Sequence, residues 1–307
     1  MIDDAKHLAK AAEMDDLGFK YILNSRTTLP AALYIVATPI GNLLDMSFRA
    51  IQVLASVDLI AAEDTRHSEK LMQHYHISTR LIPYHDHSSD KEQERILTCL
   101  AQGQSVALIS DAGTPLISDP GYRLVAQARK QGIKVVPVPG ACALIAALSA
   151  SAMPTDRFSF EGFPPAKTHA RKDFFVTLAH QTQTLIFYEA PHRIEASVRD
   201  MMVAFGEQRS AVLARELSKT YETFLTGTLA DVASQLEFDA NQQRGEFVVM
   251  VEGWRRQQSD SISTEAEHIM TILLAELPIK KAAALTAKIT GDKKNQLYQW
   301  ALDQVDD

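Results

Sequence analysis

Side chains that could carry out acid–base chemistry follow strand-like runs in the second half of this 307-residue sequence. They lie in Tyr188-Glu-Ala-Pro-His-Arg193, in Ala214-Arg-Glu-Leu-Ser-Lys-Thr220 and in Gly245-Glu246. These groups could act together only if the strands that carry them are neighbours. The alternative is a buried ion-pair network, which also perturbs ionisable groups. The candidate residues are Glu189, His192, Arg193, Arg215, Glu216 and Lys219.

Small and acidic residues end the strand-like runs in the first half. Ala37-Thr-Pro-Ile-Gly-Asn-Leu43 is a tight turn that matches neither a Walker A motif nor a dinucleotide fingerprint. Ala62-Glu-Asp-Thr-Arg66 places two carboxylates next to an arginine, which suits either a surface ion pair or a ribose contact. Ser110-Asp-Ala-Gly-Thr-Pro115, followed by Ser118-Asp-Pro-Gly121, combines small residues, an acid and glycine. This combination suits a nucleoside, because backbone groups can bind the base and a carboxylate can bind a hydroxyl or an ammonium.

Alternating strands and helices must position these turns. The predicted strands cover 33–37, 57–62, 105–110 and 133–138, and the predicted helices cover 47–55, 66–75, 89–102, 120–131 and 141–151. This alternation predicts a mostly parallel sheet with helices on its faces. In such sheets ligands bind outside the carboxyl ends of the strands, which is where the polar turns lie.

The pattern becomes richer in strands after residue 153. The predicted strands cover 157–162, 184–189, 210–215, 222–227 and 246–252, and the predicted helices cover 168–179 and 192–204. Thr-rich strands and short turns indicate a second α/β domain with antiparallel pairing. A polar linker is predicted for residues 255–263.

The C-terminal segment is predicted to form three helices. Thr264-Glu-Ala-Glu267 has a capping-box pattern, and Pro278 stops the helix that it opens. Helices over 279–289 and 293–303 follow, and they form either a helix-turn-helix or a dimerisation module. We therefore divide the chain into a leader without an assigned role (1–30), an N-terminal α/β domain (31–152), a second α/β domain (153–254) and a helical domain (262–307).

Composition narrows the class of protein. Hydrophobic residues make up 46% and charged residues 22%, as in an ordinary soluble globular protein. The longest apolar run, Ala141 to Leu148, is far shorter than the ~20 residues of a membrane-spanning helix, so we expect no membrane partner. No secretory signal opens the chain, and Cys99 and Cys142 lack metal-site spacing. We expect a cytoplasmic enzyme without a metal.

The net charge of −7 means that any nucleic-acid contact must be local. One basic stretch covers residues 278–294 and includes Lys280 and Lys281, and a second covers 164–173. Lysines on solvated helix faces are the simpler interpretation of either stretch alone.

Six segments resemble, in order and spacing, the ribosomal RNA small subunit methyltransferase I family. They are 37–43, 62–66, 110–115, 188–193, 214–222 and 244–246. The resemblance covers about residues 31–253, and the helical tail resembles the C-terminal helix-turn-helix-like domain of that family. The leader at 1–28 falls outside it.

The resemblance implies a two-domain α/β tetrapyrrole-methylase-like fold, with a mostly parallel N-terminal sheet, a mixed second sheet and a small helical C-terminal module. It also implies S-adenosylmethionine as the cofactor, bound between the two α/β domains. Members of the family methylate the ribose 2′-hydroxyl of a decoding-centre cytidine, position 1402 of 16S ribosomal RNA, in the small ribosomal subunit. A cytoplasmic homodimer is expected.

The resemblance also assigns roles to individual residues, and it implies that the site uses no metal ion. The cofactor is expected to contact Ser110, Asp111, Gly113, Thr114, Ala141, Cys142, Ala143, Tyr188, Ala214 and Gly245. A ribose hydroxyl is a weak acid and needs a base or a cation beside it, for which the candidates are Lys219, Glu189 and His192. The expected RNA contacts are Asn42, Arg66, Arg193, Arg215, Lys280 and Lys281.

Two other hypotheses remain open. The first is a small-molecule methylase, acting on a tetrapyrrole, that shares the fold. RNA-dependent activity and the basic tail would argue against it. The second is a non-catalytic ribosome- or RNA-binding protein that has lost its cofactor. Co-purified S-adenosylhomocysteine would count against it.

Overall fold

A computed structural model describes residues 28–85, 88, 90–255 and 262–304. The predicted leader lies outside the described residues as far as residue 27, and the predicted linker lies outside them at 256–261. Contacts divide the chain into one compact unit that ends at Trp254 and a second that begins at Arg255. Each unit is described by itself.

A parallel sheet opens the larger unit. Its strands are β1 (Leu33–Val36), β2 (Leu59–Ala62), β3 (Leu81–Pro83), β4 (Val106–Ile109) and β5 (Val135–Val138), in the order β3-β2-β4-β1-β5. Its helices are α1 (Phe48–Ser56), α2 (Thr65–His74), α3 (Asp90–Ala101), α4 (Tyr122–Lys130) and α5 (Ala143–Ala150). All pairings recorded within this sheet are parallel, as the alternation of strands and helices predicts.

Alternate residues of these strands pack into two separate cores, one on each face of the sheet. Ile60 and Ala62 of β2 pack with α1 and α2 on one face. Leu59 and Ala61 pack with α3 and α4 on the other. Since both faces are covered, all four residues of β2 are buried, which explains its continuous apolar sequence.

A mixed sheet forms the second half of the larger unit. Its strands are β6 (Phe158–Gly162), β7 (Thr184–Glu189), β8 (Ser210–Arg215), β9 (Thr223–Thr228) and β10 (Phe247–Val251), in the order β6-β7-β10-β8-β9. Its helices are α6 (Thr168–Leu178), α7 (Ile194–Phe205) and α8 (Leu229–Phe238). The β6–β7 pairing is parallel, and β10 is antiparallel to both β7 and β8.

Helix α5 joins the two halves of this unit. Its buried residues Leu144, Ala147 and Leu148 belong to the same core as Ile186 of β7 and Met250 of β10. The opposite face of the mixed sheet is covered by α6, α7 and α8. The first half therefore contributes a helix to the packing of the second sheet, and the loop before that helix lies where the halves meet.

The smaller unit consists of α9 (Thr264–Leu274), α10 (Ile279–Thr290) and α11 (Lys294–Asp303). Ala266, Met270, Ala283 and Leu297 are fully buried in its core. The cap of α9 is Ser263 rather than the expected Thr264, since Ser263 Oγ accepts the Ala266 amide over 3.2 Å. None of the helices in the described ranges is long and apolar enough to cross a membrane.

The α/β fold class is confirmed, and the structure adds two elements to those predicted. Strand β3 has only three residues and ends at Pro83, so its sequence gives little β signal. Helix α8 had a detectable signal: Thr228 Oγ1 accepts the Asp231 amide, and an Asp231 carboxylate oxygen accepts the Thr228 amide. This is a capping box with aspartate in place of the usual glutamate.

Candidate functional site

Three loops meet at the carboxyl edge of the parallel sheet because β1 lies between β4 and β5. The loop after β1 is tied to the loop after β4 by a reciprocal pair of backbone hydrogen bonds between Thr38 and Gly113, of 2.9 and 3.0 Å. The Thr114 hydroxyl then donates to the Ala141 carbonyl over 3.0 Å, which adds the loop after β5. These contacts make one connected rim from three separate segments.

Tyr188, near the carboxyl end of β7, reaches this rim from the mixed sheet. Its hydroxyl accepts the backbone amide of Leu144 over 3.2 Å, close to the start of α5, whose N-cap residue Cys142 makes no side-chain cap. Burial raises the pKa of Tyr188 above its ordinary value, and the neighbouring Cys142 raises it further. The hydroxyl is therefore protonated at neutral pH. The rings of Phe160 and Phe163 pack edge-on against it.

A cavity of about 350 Å³ lies between the rim and the mixed sheet. Its walls contain six of the predicted site residues: Gly113, Thr114, Cys142, Ala143, Tyr188 and Glu189. Eight of its other wall residues lie in motifs that the sequence singled out, although none was expected to bind the cofactor: Ile40, Ala112, Ser118, Asp119, Ala190, Pro191, Leu217 and Glu246. The four that lie outside those motifs are Ile117, Phe163, Phe247 and Val248. The wall is mostly apolar, and its carboxylates are those of Asp119, Glu189 and Glu246.

Two wall residues are presented by strained backbone. Ile117 lies between Leu116 and Ser118, whose φ angles are +74° and +63°, and Leu217 lies between Glu216 and Ser218 at +51° and +62°. The left-handed conformation costs a non-glycine residue about 1–2 kcal/mol. Both loops thus store strain where they border the cavity, a pattern typical of functional sites.

Five residues expected to bind the cofactor are not among the residues that line this cavity. Ser110 and Ala214 are buried. Asp111 accepts the Asp64 amide over 3.1 Å and so links the loops after β4 and β2. Gly245 has a φ of +98°, and a Cβ there would lie 2.5 Å from the Glu216 side chain. Ala141 borders a second, adjacent cavity of about 430 Å³.

Glu189 is the most enclosed of the three candidate activating residues. It is 2% exposed, and one of its oxygens accepts both the Ala190 amide and a 2.8 Å ion pair from Arg193. Its other oxygen accepts the Ser197 hydroxyl. Both carboxylate oxygens are therefore engaged within the protein.

Lys219 lies in an ion-paired cluster on the loop after β8. Its Nζ donates to Glu216 Oε1 and to Glu246 Oε2, each over 2.8 Å. Burial alone would lower the pKa of Lys219, but the hydrogen bonds to the two carboxylates outweigh it and raise the pKa above its ordinary value. Burial likewise opposes ionisation of Glu216, but the hydrogen bonds from Lys219 and from the Glu246 amide lower its pKa. Lys219 is therefore an ammonium at neutral pH.

The cluster touches the first half of the unit through Gly41. A Cβ at this position would lie 2.4 Å from Lys219 Cγ and 2.9 Å from Lys219 Cε. The absence of a side chain at Gly41 is what allows the lysine stem to pass against the turn after β1. Lys219 thus spans from the mixed sheet to the parallel sheet beside the cavity.

The expected RNA-binding residues are scattered. Asn42 accepts the Leu44 amide over 3.0 Å and caps a short 3-10 turn. The side chain of Arg66 is 89% exposed, and its hydrogen bond lowers the pKa of Asp64 to about 2. Arg215 is 8% exposed and donates to the carbonyls of Arg244 and Tyr221, which gives it a structural role.

The remaining candidates lie in other settings. His192 is exposed on a short 3-10 turn after β7 and is not among the cavity-lining residues. Lys280 and Lys281 lie in the first turn of α10, in the smaller unit. Across the described ranges, no three His, Cys, Asp or Glu residues are grouped so that they could hold a metal ion.

Family models match most of the chain. The model described as Tetrapyrrole (Corrin/Porphyrin) Methylases matches residues 32–233. The model described as the RsmI C-terminal HTH domain matches residues 260–304, which includes the three helices of the smaller unit.

Similar proteins and structures agree with these matches. Ribosomal RNA small subunit methyltransferase I of Pseudomonas aeruginosa is 57% identical over 273 residues, which cover 89% of this chain and 97% of that protein. The protein of the same name from Vibrio cholerae is 53% identical, with coverages of 89% and 95%. The solved structure of a cobalt precorrin-4 methyltransferase superposes with a TM-score of 0.54 at 15% identity, over 72% of this chain and 95% of that one. At this identity the superposition shows a shared fold.

Proposed function

Because the chain belongs to the ribosomal RNA small subunit methyltransferase I family, we propose that it methylates ribosomal RNA of the small subunit, using S-adenosylmethionine. The proposed target is the ribose 2′-hydroxyl of the decoding-centre cytidine at position 1402 of 16S ribosomal RNA. A cytoplasmic homodimer is part of the proposal and rests on the family resemblance. The match of the smaller unit to the RsmI C-terminal domain favours RNA over a tetrapyrrole as the substrate.

The observation that carries the proposal is the cavity between the rim and the mixed sheet. Its volume of about 350 Å³ lies within the range of small-molecule sites. Apolar side chains such as Ile40, Ile117 and Val248 suit the adenine ring, and the wall carboxylate Asp119 suits a ligand that carries a sulfonium and an ammonium. The donor set therefore fits S-adenosylmethionine. The residues proposed to hold it are the wall members Gly113, Thr114, Cys142, Ala143 and Tyr188.

The bound cofactor supplies an electrophilic methyl group. The chain's own residues must then exclude water, orient the ribose and receive or stabilise a proton. The mostly apolar walls serve the first task. Among the candidate activating residues, the charged Lys219 is suited to donating a hydrogen bond, whereas Glu189 has both oxygens engaged and is suited to holding Arg193 in place.

Phosphate contacts are the proposed task of the exposed basic residues. Arg66 and the lysines of α10, Lys280 and Lys281, carry positive charge that solvent can reach. The other two proposed RNA contacts are Arg193, which is held in place by Glu189, and Asn42, which lies on the turn after β1. Such contacts position an RNA without reading its sequence.

The direct test maps ribose methylation at position 1402 in a bacterial strain that lacks its own copy of this enzyme, with and without this gene. We expect the methyl group to appear only when the gene is present. Purified protein should then methylate small subunits from the same strain when S-adenosylmethionine is supplied. An unmethylated position 1402 in both experiments would contradict the proposal.

Two glycines provide a matched pair of variants for the cofactor site. Gly113 and Gly103 have φ angles of +82° and +84°, so a side chain strains both backbones to a similar degree. A Cβ at Gly113 would lie 3.3 Å from the cavity residue Ile40, whereas a Cβ at Gly103 would have no neighbour within 4 Å. We expect Gly113→Val to abolish cofactor binding in calorimetry and Gly103→Val to retain it. Equal affinity in the two variants would exclude this cavity as the cofactor site.

A further inference from the structure

Glu246 is the cavity-lining carboxylate that none of the roles above uses. It immediately precedes β10, and its side chain is 75% exposed. Its Oε2 accepts a 2.8 Å hydrogen bond from Lys219, whereas its Oε1 has no hydrogen-bond partner in the described part of the chain. One oxygen is thus fixed by the protein while the other can accept a proton from a ligand.

The position of Glu246 is fixed by its neighbours. Glu216 Oε1 accepts both the Glu246 backbone amide, over 3.0 Å, and the Lys219 ammonium. The Glu246 carbonyl in turn accepts the Glu216 amide over 3.0 Å. Since Gly41 and Gly245 leave no space around Lys219 and Glu216, this arrangement is closely packed on two sides.

The other candidate activating residues are less suited to taking a proton. Lys219 already carries one, because its two carboxylate partners raise its pKa. Glu189 has no unengaged oxygen, and His192 is not among the cavity-lining residues. Glu246 alone among these four combines an accessible, unengaged acceptor atom with a place on the cavity wall.

We propose that Glu246 is the catalytic residue that accepts the proton of the ribose 2′-hydroxyl, with Lys219 and Glu216 as its positioning residues. This inference rests on the proposed function. In the step, the 2′-oxygen forms a bond to the methyl carbon of a sulfonium donor. The bond from that carbon to sulfur breaks with its electron pair kept by sulfur, and the hydroxyl proton passes to Glu246 Oε1. The products are a 2′-O-methyl ribose, a neutral thioether and a protonated carboxyl.

The test compares Glu246→Gln with the wild-type enzyme in single-turnover methylation of unmethylated small subunits, with saturating enzyme. General-base catalysis contributes typically 10²–10⁴-fold. We expect the rate of Glu246→Gln to fall by about 100-fold or more. Calorimetry with S-adenosylmethionine and filter binding of subunits should give affinities within about twofold of the wild type. Glu195→Gln, whose side chain pairs with Arg199 on α7, is the matched control and should retain the wild-type rate.

A second variant separates proton transfer from structure. Glu246→Asp keeps the carboxylate but withdraws it by one methylene, so a rate between those of the wild type and of Glu246→Gln is expected. A wild-type rate in Glu246→Gln, or equal losses of rate in both variants, would overturn the inference. Failure of the wild-type enzyme to methylate position 1402 would instead overturn the proposed function.

Discussion

The hydroxyl of Tyr188, on a strand of the mixed sheet, accepts the backbone amide of Leu144, on the helix that follows the parallel sheet. Helix α5 has no side-chain cap of its own, so this hydroxyl satisfies one of the amides exposed at its amino end. The two halves of the larger unit are thereby joined at the cavity wall by a hydrogen bond, and not by apolar packing alone.

Replacing Tyr188 by Phe should remove this bond while keeping the ring and its contacts with Phe160 and Phe163. A lost hydrogen bond that leaves a part-buried amide unsatisfied costs about 1–3 kcal/mol. We expect urea unfolding to report a loss of that size, together with weaker cofactor binding. Tyr122→Phe is the control, because that side chain is 76% exposed. Equal stability of the two variants would show that the bond adds nothing.

Gly41→Ala should displace Lys219, since the new methyl carbon would lie 2.4 Å from Lys219 Cγ. We expect the saturating methylation rate to fall with little change in cofactor affinity. Residues in contact give non-additive effects, so a double-mutant cycle with Lys219→Ala tests the contact directly. In the Lys219→Ala background the alanine at position 41 should cost almost nothing further. Fully additive losses would mean that Gly41 acts through another neighbour.

The Glu216–Lys219 pair should make stability depend on pH at both extremes. The pKa of Glu216 is lowered in the folded state, so its contribution is present above the ordinary glutamate pKa of about 4.3 and is lost as pH falls through the lowered value. The pKa of Lys219 is raised, so its contribution is present below about 10.4 and is lost as pH rises through the raised value. Chemical unfolding of wild type and Glu216→Gln should therefore differ by a constant amount between about pH 5 and 10, and the difference should shrink in acid. A difference that grows in acid would contradict this assignment.

Lys280→Gln combined with Lys281→Gln should weaken binding to the small subunit without changing cofactor affinity. Each phosphate contact contributes about 0.7–0.9 to the slope of log affinity against log salt concentration. We expect the slope for the double variant to be shallower by about 1.5, as measured by filter binding at several salt concentrations. Lys130→Gln, at the end of α4, is the control. An unchanged slope would remove α10 from the RNA-binding surface.

The sequence was sufficient to place three of the cavity-forming turns at one edge of the parallel sheet, because the rule for such sheets is geometric. All strands run the same way, so the turns that begin at Ala37, Ser110 and Gly140 had to share one edge. The mixed sheet does not obey this rule. Strand β10 runs antiparallel to β7 and β8, so its amino end pairs with their carboxyl ends, with Phe247 opposite Glu189 and Arg215. Glu246 therefore borders the cavity from the start of a strand. Its motif, Gly245-Glu246, could be recognised in the sequence, but the edge of the sheet that it joins could not.

The roles of the charged residues in the mixed sheet were also beyond sequence reasoning. From the sequence alone, Arg215 and Arg193 are equally plausible phosphate ligands. The structure distinguishes them, because Arg215 is buried with backbone carbonyls as its acceptors and Arg193 is paired with a carboxylate. Such differences depend on side-chain direction at the end of a strand, which residue type and spacing do not determine.

The cluster of Lys219, Glu216 and Glu246 has a consequence for the direction from which a nucleotide can approach. Two carboxylates around one ammonium leave the cavity edge with an excess of one negative charge. A phosphodiester is repelled from such a point, whereas an uncharged ribose hydroxyl is not. If the proposed function holds, we expect the RNA strand to enter with its sugar edge forward and its phosphates turned towards basic groups elsewhere. The negative potential at this edge of the cavity would thus favour one orientation of the RNA backbone, whatever the base sequence.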